Sequence, residues 1–294
     1  MKVAGFSFVR NAIKFDYPIV EAITSVLPLC DEFVVVVGDS DDDTLALVNS
    51  IPSDKIRIVR SVWDDNLREE CSVLAVETDK GLAAISPDVD WVFYIQGDEV
   101  LHEKYIPVVR EAMQTYLGDR LRVEGLLFHY RHFYGSYNYV GDSRKWYRRE
   151  VRVIRNTGEL VSYKDAQGFR KKDGTKPTVK LIDACIYHYG WVKPVETMRS
   201  KIGYLHRFWS SDEQKLEDVQ KEAQIFSYEN HADSLALFTE THPAVMQERI
   251  ARSNWPFVFD TRKKSKSLKV RVLDSIERLT GWRIGEYRNY KLLP

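Results

Sequence analysis

Three cysteines in 294 residues, Cys30, Cys71 and Cys185, are too few and too far apart for a disulfide frame, and no C-x-x-C pair exists to hold zinc. They are expected as buried thiols in a reducing compartment. Net charge is missing too: 43 Lys+Arg stand against 43 Asp+Glu, which removes the basic excess that bulk nucleic-acid binding requires. No apolar run approaches the ~20 residues of a membrane-spanning helix, since the longest aliphatic stretch is Val34 to Val37 behind Phe33. Arg10 interrupts the first apolar run too early for a secretory signal. The expected address is cytoplasmic. The motifs G-x-G-x-x-G, G-x-x-x-x-G-K-[ST], G-x-S-x-G and H-E-x-x-H are all lacking, which excludes the chemistries they serve. Asp39-Ser40-Asp41-Asp42-Asp43 opens like a calcium loop, but Thr44 replaces the glycine and Ser50 the final glutamate.

What is present is ordinary globular material, 44% hydrophobic and 29% charged. The length suits one large domain with an extension, or two modest ones. Val3 to Val9, Phe33 to Val37, Lys55 to Val62 and Trp91 to Ile95 read as strands. Between them, helical stripes run through Ile19, Ala22, Ile23, Val26 and Leu27, starting near Pro18, and through Leu67 to Ile85. Such alternation predicts an α/β fold with a mostly parallel sheet flanked by helices, whose ligands sit at the carboxyl ends of the strands. Arg10-Asn11, Asp39 and Asp98 fall at those ends.

From Gly125 the character changes. Leu126 to Tyr139 is crowded with aromatics and His, and Val151 to Ile154 and Ala184 to His188 read as appended strands. The aromatics Phe128, Tyr130, Phe133, Tyr134, Tyr137 and Tyr139 are expected mostly to pack a strand, though such rings also suit a carbohydrate. After Pro194 the pattern is helical, with a basic, polar stretch from Thr261 to Lys269 before a last helix carrying Leu273, Ile276 and Leu279. We expect residues 1–209 to form the main domain and 210–294 a mainly helical extension.

A carboxylate at the tip of a buried strand is placed to hold a divalent cation together with substrate phosphates. Gln96-Gly97-Asp98-Glu99 stands in that position, although Gly-Asp is also common turn chemistry. At this point the chain resembles the GT-A-type glycosyltransferases, in particular family 2-like bacterial enzymes. The likeness rests on Phe8-Val9-Arg10-Asn11, Gly38-Asp39-Ser40 to Thr44, and Gln96-Gly97-Asp98-Glu99 in the place of the D-x-D signature. It continues in Ile186-Tyr187-His188-Tyr189-Gly190-Trp191 with Met198 and Lys201, and covers roughly Lys2 to Phe208. Gln96 departs from it, replacing the signature's first Asp.

The resemblance implies a GT-A-like (Rossmann-like) fold and an enzyme that moves a sugar from a nucleotide-diphosphate donor, inverting, with Mn²⁺ or Mg²⁺. The acceptor would be a glycan or lipid-linked oligosaccharide of cell-surface polysaccharide biosynthesis. Asp98, Glu99 and His188 would serve the metal. Arg10, Asn11, Asp39, Lys80, Gln96 and Lys201 would line the donor site, with Asp39 on the base. The acceptor's general base is expected in Asp165, with Asp142 as runner-up and Glu150, among Arg148, Arg149 and Arg152, more simply an ion-pair partner. Asp41 to Asp43 are expected as an acidic helix start. The basic run Arg262-Lys263-Lys264, Lys266 and Lys269, ahead of an amphipathic segment with Trp282, suggests peripheral contact with the inner membrane face, or a solvated linker. A non-catalytic sugar-nucleotide or glycan-binding relative is the alternative. A sugar-phosphate nucleotidyltransferase ranks below it, because no glycine-rich loop follows the first strand.

Overall fold

A computed structural model describes residues 1–68, 71–119, 122–209, 212–262 and 268–294. Strands β1 (Val3–Val9), β2 (Glu32–Gly38), β3 (Ile56–Ser61) and β4 (Trp91–Tyr94) pair in parallel in the order β3-β2-β1-β4. β1, β2 and β4 are buried almost throughout, as strands covered on both faces are, whereas β3 interleaves Arg57 and Arg60 and lies part-exposed at the sheet's edge. Helix α1 (Ile19–Val26) lays Ile19, Ala22, Ile23 and Val26 on one face, against Val35, Val37 and Phe93. On the other face, α3 (Ser72–Ala83) brings Leu74 and Leu82 to Phe6, Val34 and Tyr94. Helix α2 (Thr44–Asn49) is short. Val62, expected on β3, lies beyond its end and is exposed.

The second half extends this sheet with mixed strands. β5 (Glu99–Leu101) leaves the tip of β4, and α4 (Ile106–Thr115) follows. β6 (Gly125–Tyr134) and β7 (Ser136–Gly141) precede β8 (Arg149–Arg155), which runs antiparallel beside β4 and β6. β9 (Leu160–Tyr163) and β10 (Gly168–Lys171) form a separate hairpin. β11 (Thr178–Trp191) runs along β6 and takes β5 on its own flank. The result is a mixed α/β sheet flanked by helices, as the alternation of strand and helix predicts. The aromatics from Phe128 to Tyr139 are buried and pack the sheet.

The later helices are α5 (Val195–His206), α6 (Glu213–Ile225), α7 (Tyr228–His231), α8 (Gln247–Ala251) and α9 (Leu268–Thr280). Two strands from this stretch join the main sheet: β12 (Leu235–Leu237) on β7, and β13 (Lys291–Leu292) on β11. Of the basic run, residues 263–267 lie outside the described residues. Among the described residues no helix is long and apolar enough to cross a membrane.

Candidate active site

The carboxyl ends of β1, β3 and β4 open on one cavity of about 180 Å³, whose lining includes Arg10, Trp63, Gln96, Asp98, Asp165 and Lys201. Arg10 is held by its Nε, which donates to the Asp39 carbonyl at 2.7 Å, and its guanidinium lies 5.5 Å from the Trp63 ring. Lys201, on α5, donates from Nζ to Asp98 Oδ2 and to the Gly190 carbonyl, each at 3.1 Å. Gln96 donates to the Tyr94 hydroxyl at 3.2 Å and to the Ala166 carbonyl at 3.3 Å. It therefore ties the β9–β10 turn, which carries Asp165, to the tip of β4. In that turn Lys164 and Ala166 adopt φ of 54° and 59°, a left-handed conformation rare outside glycine.

Asp98 is buried, and burial opposes its ionisation. Lys201, His188 and Lys193 outweigh that and hold its carboxyl well below the usual range. His188 Nε2 lies 3.7 Å from Asp98 Oδ2. The tautomer of His188 follows from its other neighbour. His132 Nε2 is 3.0 Å from the Tyr147 carbonyl, which can only accept, so Nε2 carries the hydrogen. Burial, with His188 nearby, holds the His132 pKa well below its ordinary value, so its Nδ1 is a bare acceptor. His188 Nδ1, 3.2 Å away, donates to it. That leaves His188 Nε2 facing Asp98, the arrangement of a ligating imidazole fixed by its second nitrogen.

Gly190 keeps the space between these groups open. A Cβ there would stand 2.5 Å from His188 Nε2 and 2.6 Å from Asp98 Oδ2. One carboxylate, one imidazole nitrogen and this cradle fit a divalent cation of the Mn²⁺ kind. Among the described residues no three His, Cys, Asp or Glu side chains gather to hold a metal. The remaining positions would fall to phosphate oxygens and water.

Several expected residues are placed elsewhere. Glu99 is fully buried and faces β8. Its carboxylate takes Arg152 Nη2 at 2.6 Å and Nε at 2.8 Å, the Gln96 amide at 3.0 Å and the Tyr130 hydroxyl. The metal role expected of Glu99 gives way to a structural one. Asn11 is buried at φ 56° and staples the loop after β1 to that after β2: its Oδ1 accepts from the Asp41 amide at 2.7 Å. Asp39 holds Arg10 and does not line the cavity. Lys80 donates to Glu77 at 2.6 Å and Ser61 at 2.7 Å, away from the cavity. Asp42 accepts from the Lys14 amide at 2.7 Å and the Thr44 amide at 3.0 Å, bracing the start of α2.

Of the base candidates, only Asp165 shares the cavity with Asp98. Asp142 lines a separate space of about 800 Å³ beside α9. Glu150 is buried, and burial pushes its carboxyl up to about 8. Its ion pair with Arg152 is a distant 3.8 Å because that guanidinium is engaged by Glu99.

The sequence reading missed Phe15, Tyr17, Trp63 and Tyr204, which give the cavity its aromatic walls, and Lys193. That amine is fully buried and donates to the carbonyls of Phe15 at 2.6 Å and Asp16 at 3.2 Å. Burial, with Lys201 nearby, drives its pKa well down. His188 also borders a second cavity of about 420 Å³, lined with His132, Tyr134, Trp146, Tyr147 and Trp191. Asp98 and His188 thus touch across the wall between two spaces.

No protein-family model and no curated protein matches the sequence. Among solved structures, S. aureus TarS 1–349 aligns at 15% identity and a TM-score of 0.38, over 76% of this chain and 71% of that one. Glucosyl-3-phosphoglycerate synthase from Mycobacterium tuberculosis, in complex with Mn²⁺, UDP and phosphoglyceric acid, aligns at 20% identity and 0.29, over 45% and 43%. The 4-diphosphocytidyl-2C-methyl-D-erythritol synthase from Anaerococcus prevotii aligns at 11% and 0.36, over 76% and 96%. Scores this low decide nothing about activity.

Proposed function

We propose that the chain is a glycosyltransferase, taking a sugar from a nucleotide diphosphate to the hydroxyl of a glycan or lipid-linked acceptor. One observation carries this reading: Asp98, Arg10, Lys201 and Asp165 converge on one cavity, while His188, in touch with Asp98, borders a second, aromatic one. At about 180 Å³ the first is below the roughly 300–1,000 Å³ of small-molecule sites, so it suits the diphosphate–sugar end of a donor, with the base over the open strand edge. Trp63 and Tyr204 offer that base a stacking face. The aromatic cavity is suited to the acceptor.

Departure of a nucleoside diphosphate develops negative charge, which a bound divalent cation neutralises. Asp98 and His188 would hold that cation, Mn²⁺ suiting the imidazole, while Lys201 and Arg10 bring fixed positive charge to the phosphates. Asp165 acts as the base that takes the acceptor proton in an inverting displacement. Residues 1–209 supply all these groups, and 210–294 build the outer wall of the acceptor cavity through Val219, Ala223 and Phe226.

The test is a screen of nucleotide sugars with wild type, Asp98→Ala and Asp165→Ala, reading UDP binding and sugar release separately. Asp98→Ala should weaken donor binding, and Asp165→Ala should bind normally and lose transfer. Full turnover by Asp165→Ala removes the base assignment. The engagement of Glu99 and the amide at Gln96 favour one second reading, a binding protein without turnover. UDP binding indifferent to Mn²⁺, with no sugar released from any donor, would establish that reading.

A further inference from the structure

α9 carries apolar side chains on an exposed face as well as on its inner one. It has no buried residue. At 3.6 residues per turn, Leu268, Val272 and Leu279 fall within an arc of about 40°, and they are 76%, 52% and 86% exposed. Trp282, just past the helix end, is 61% exposed. Glu277, on the far side of the helix, turns inward, where its carboxylate meets Arg144, Arg148 at 3.1 Å and Arg283 at 3.8 Å. The helix meets the body through this charge and through Val270 and Leu273, half-buried on the same side, and it leaves a second apolar stripe facing outward. A surface helix of a soluble domain keeps its outer face polar.

The stripe is edged with cations. Arg271 and Arg278 flank it on one side and Lys269 on the other, all exposed. Arg271 and Arg278 also line the 800 Å³ space beside α9, with Arg144, Arg262 and Arg283 against Asp142, Asp274 and Glu277. This local excess of positive charge stands in a chain whose formal charge is zero. Leucine and tryptophan outward with arginine at the margins is the pattern of a helix lying in the plane of a bilayer interface. Tryptophan favours the headgroup level, and each basic residue near an anionic leaflet adds to the attraction.

We propose that α9 and Trp282 dock the protein on an anionic lipid surface, the stripe sinking among the acyl chains and Lys269, Arg271 and Arg278 meeting lipid phosphates. The docking face is separate from the Asp98 cavity and stands independently of the transferase reading.

The experiment is sedimentation of the 294-residue chain with vesicles of phosphatidylcholine and phosphatidylglycerol in equal parts, and of phosphatidylcholine alone, at low and high salt. Wild type should pellet with the mixed vesicles and be released by salt. Leu268→Gln/Leu279→Gln should lower the partition coefficient about tenfold or more, given the apolar area withdrawn. Arg271→Gln/Arg278→Gln should lower binding to the mixed vesicles and flatten its salt dependence. Thermal melting should match wild type in both variants, since every altered side chain is exposed. Wild type left in the supernatant, or leucine variants that pellet like wild type, would overturn the proposal. So would a dimer in light scattering that the leucine substitutions break, because the stripe would then belong to a second copy of the chain.

Discussion

The Nδ1 atoms of His132 and His188 lie 3.2 Å apart, and the Tyr147 carbonyl behind His132 fixes which of them donates. One backbone oxygen therefore sets, through two rings, His188 Nδ1 as the donor to His132 and leaves Nε2 to face Asp98. His132→Ala should lower Mn²⁺ affinity in the presence of UDP by roughly 10–100-fold, the usual loss when an outer partner of a ligating histidine is removed. His132→Asn, whose amide oxygen replaces the Nδ1 acceptor, should recover part of it. Calorimetric titration with Mn²⁺ reads this directly, and equal affinities in all three proteins would dismiss the relay.

Gly190 is a second point where a small change should be felt. Adding one methyl puts carbon within 2.6 Å of both Asp98 Oδ2 and His188 Nε2. Gly190→Ala should lose transfer while costing about 1–3 kcal/mol of stability, the usual scale of overpacking. Melting curves beside sugar-release assays measure the two effects; retained transfer would show that the cradle is dispensable.

Glu99 predicts a stability defect where a metal ligand would give a binding defect. Glu99→Ala strands the buried Arg152 guanidinium without its carboxylate, a change of about 3–5 kcal/mol. Denaturant melts should show that loss. Glu99→Gln, which keeps two polar atoms beside Arg152, should fold better than Glu99→Ala and bind Mn²⁺ like wild type in the titration above. A large loss of Mn²⁺ affinity in folded Glu99→Gln would return the residue to the metal site.

Glu150 makes stability depend on pH. Its carboxyl moves from an ordinary 4.5 up to about 8 because burial disfavours the charge. Below pH 4.5 both folded and unfolded chains hold the proton and this group costs nothing. As pH rises towards about 8 only the unfolded chain gives it up, so stability falls by about 1.4 kcal/mol per pH unit and then levels. Urea melts across this range should show the slope, and Glu150→Gln should flatten it. Parallel slopes in the two proteins would place the proton elsewhere.

Much of this was legible in the sequence because strands buried on both faces announce themselves. Val3 to Val9 is β1 to the residue, and Arg10, Gln96 and Asp98 meet because they follow strands of one parallel sheet. Lys201 and Asp165 arrive from distant segments, and only the resemblance pointed to them. Asp98 and Glu99 part at a turn that the sequence does not resolve: Asp98 sits in it, closed by the Glu99 amide on the Gln96 carbonyl at 3.0 Å, and Glu99 opens β5, so one meets the cavity and the other the core. Lys80 was misplaced because its i−3 partner Glu77 was overlooked. Trp63, Tyr17 and Tyr204 carry no periodic signal, since two sit on loops and the third on a helix whose apolar stripe faces elsewhere. The short strands β5, β12 and β13 exist only through partners far along the chain.

Lys193 has a consequence for how a ligand arrives. Its amine clasps the loop bearing Phe15 and Tyr17 to the root of the helix bearing Lys201 and Tyr204, so two walls of the cavity travel as one body. The opposite rim is fastened by Arg10 to Asp39 and Asp65, each at 3.4 Å with both carboxylates well exposed, and such pairs hold by no more than about 1 kcal/mol. If the proposed donor binds here, its diphosphate would exchange places with two surface acids for the same guanidinium.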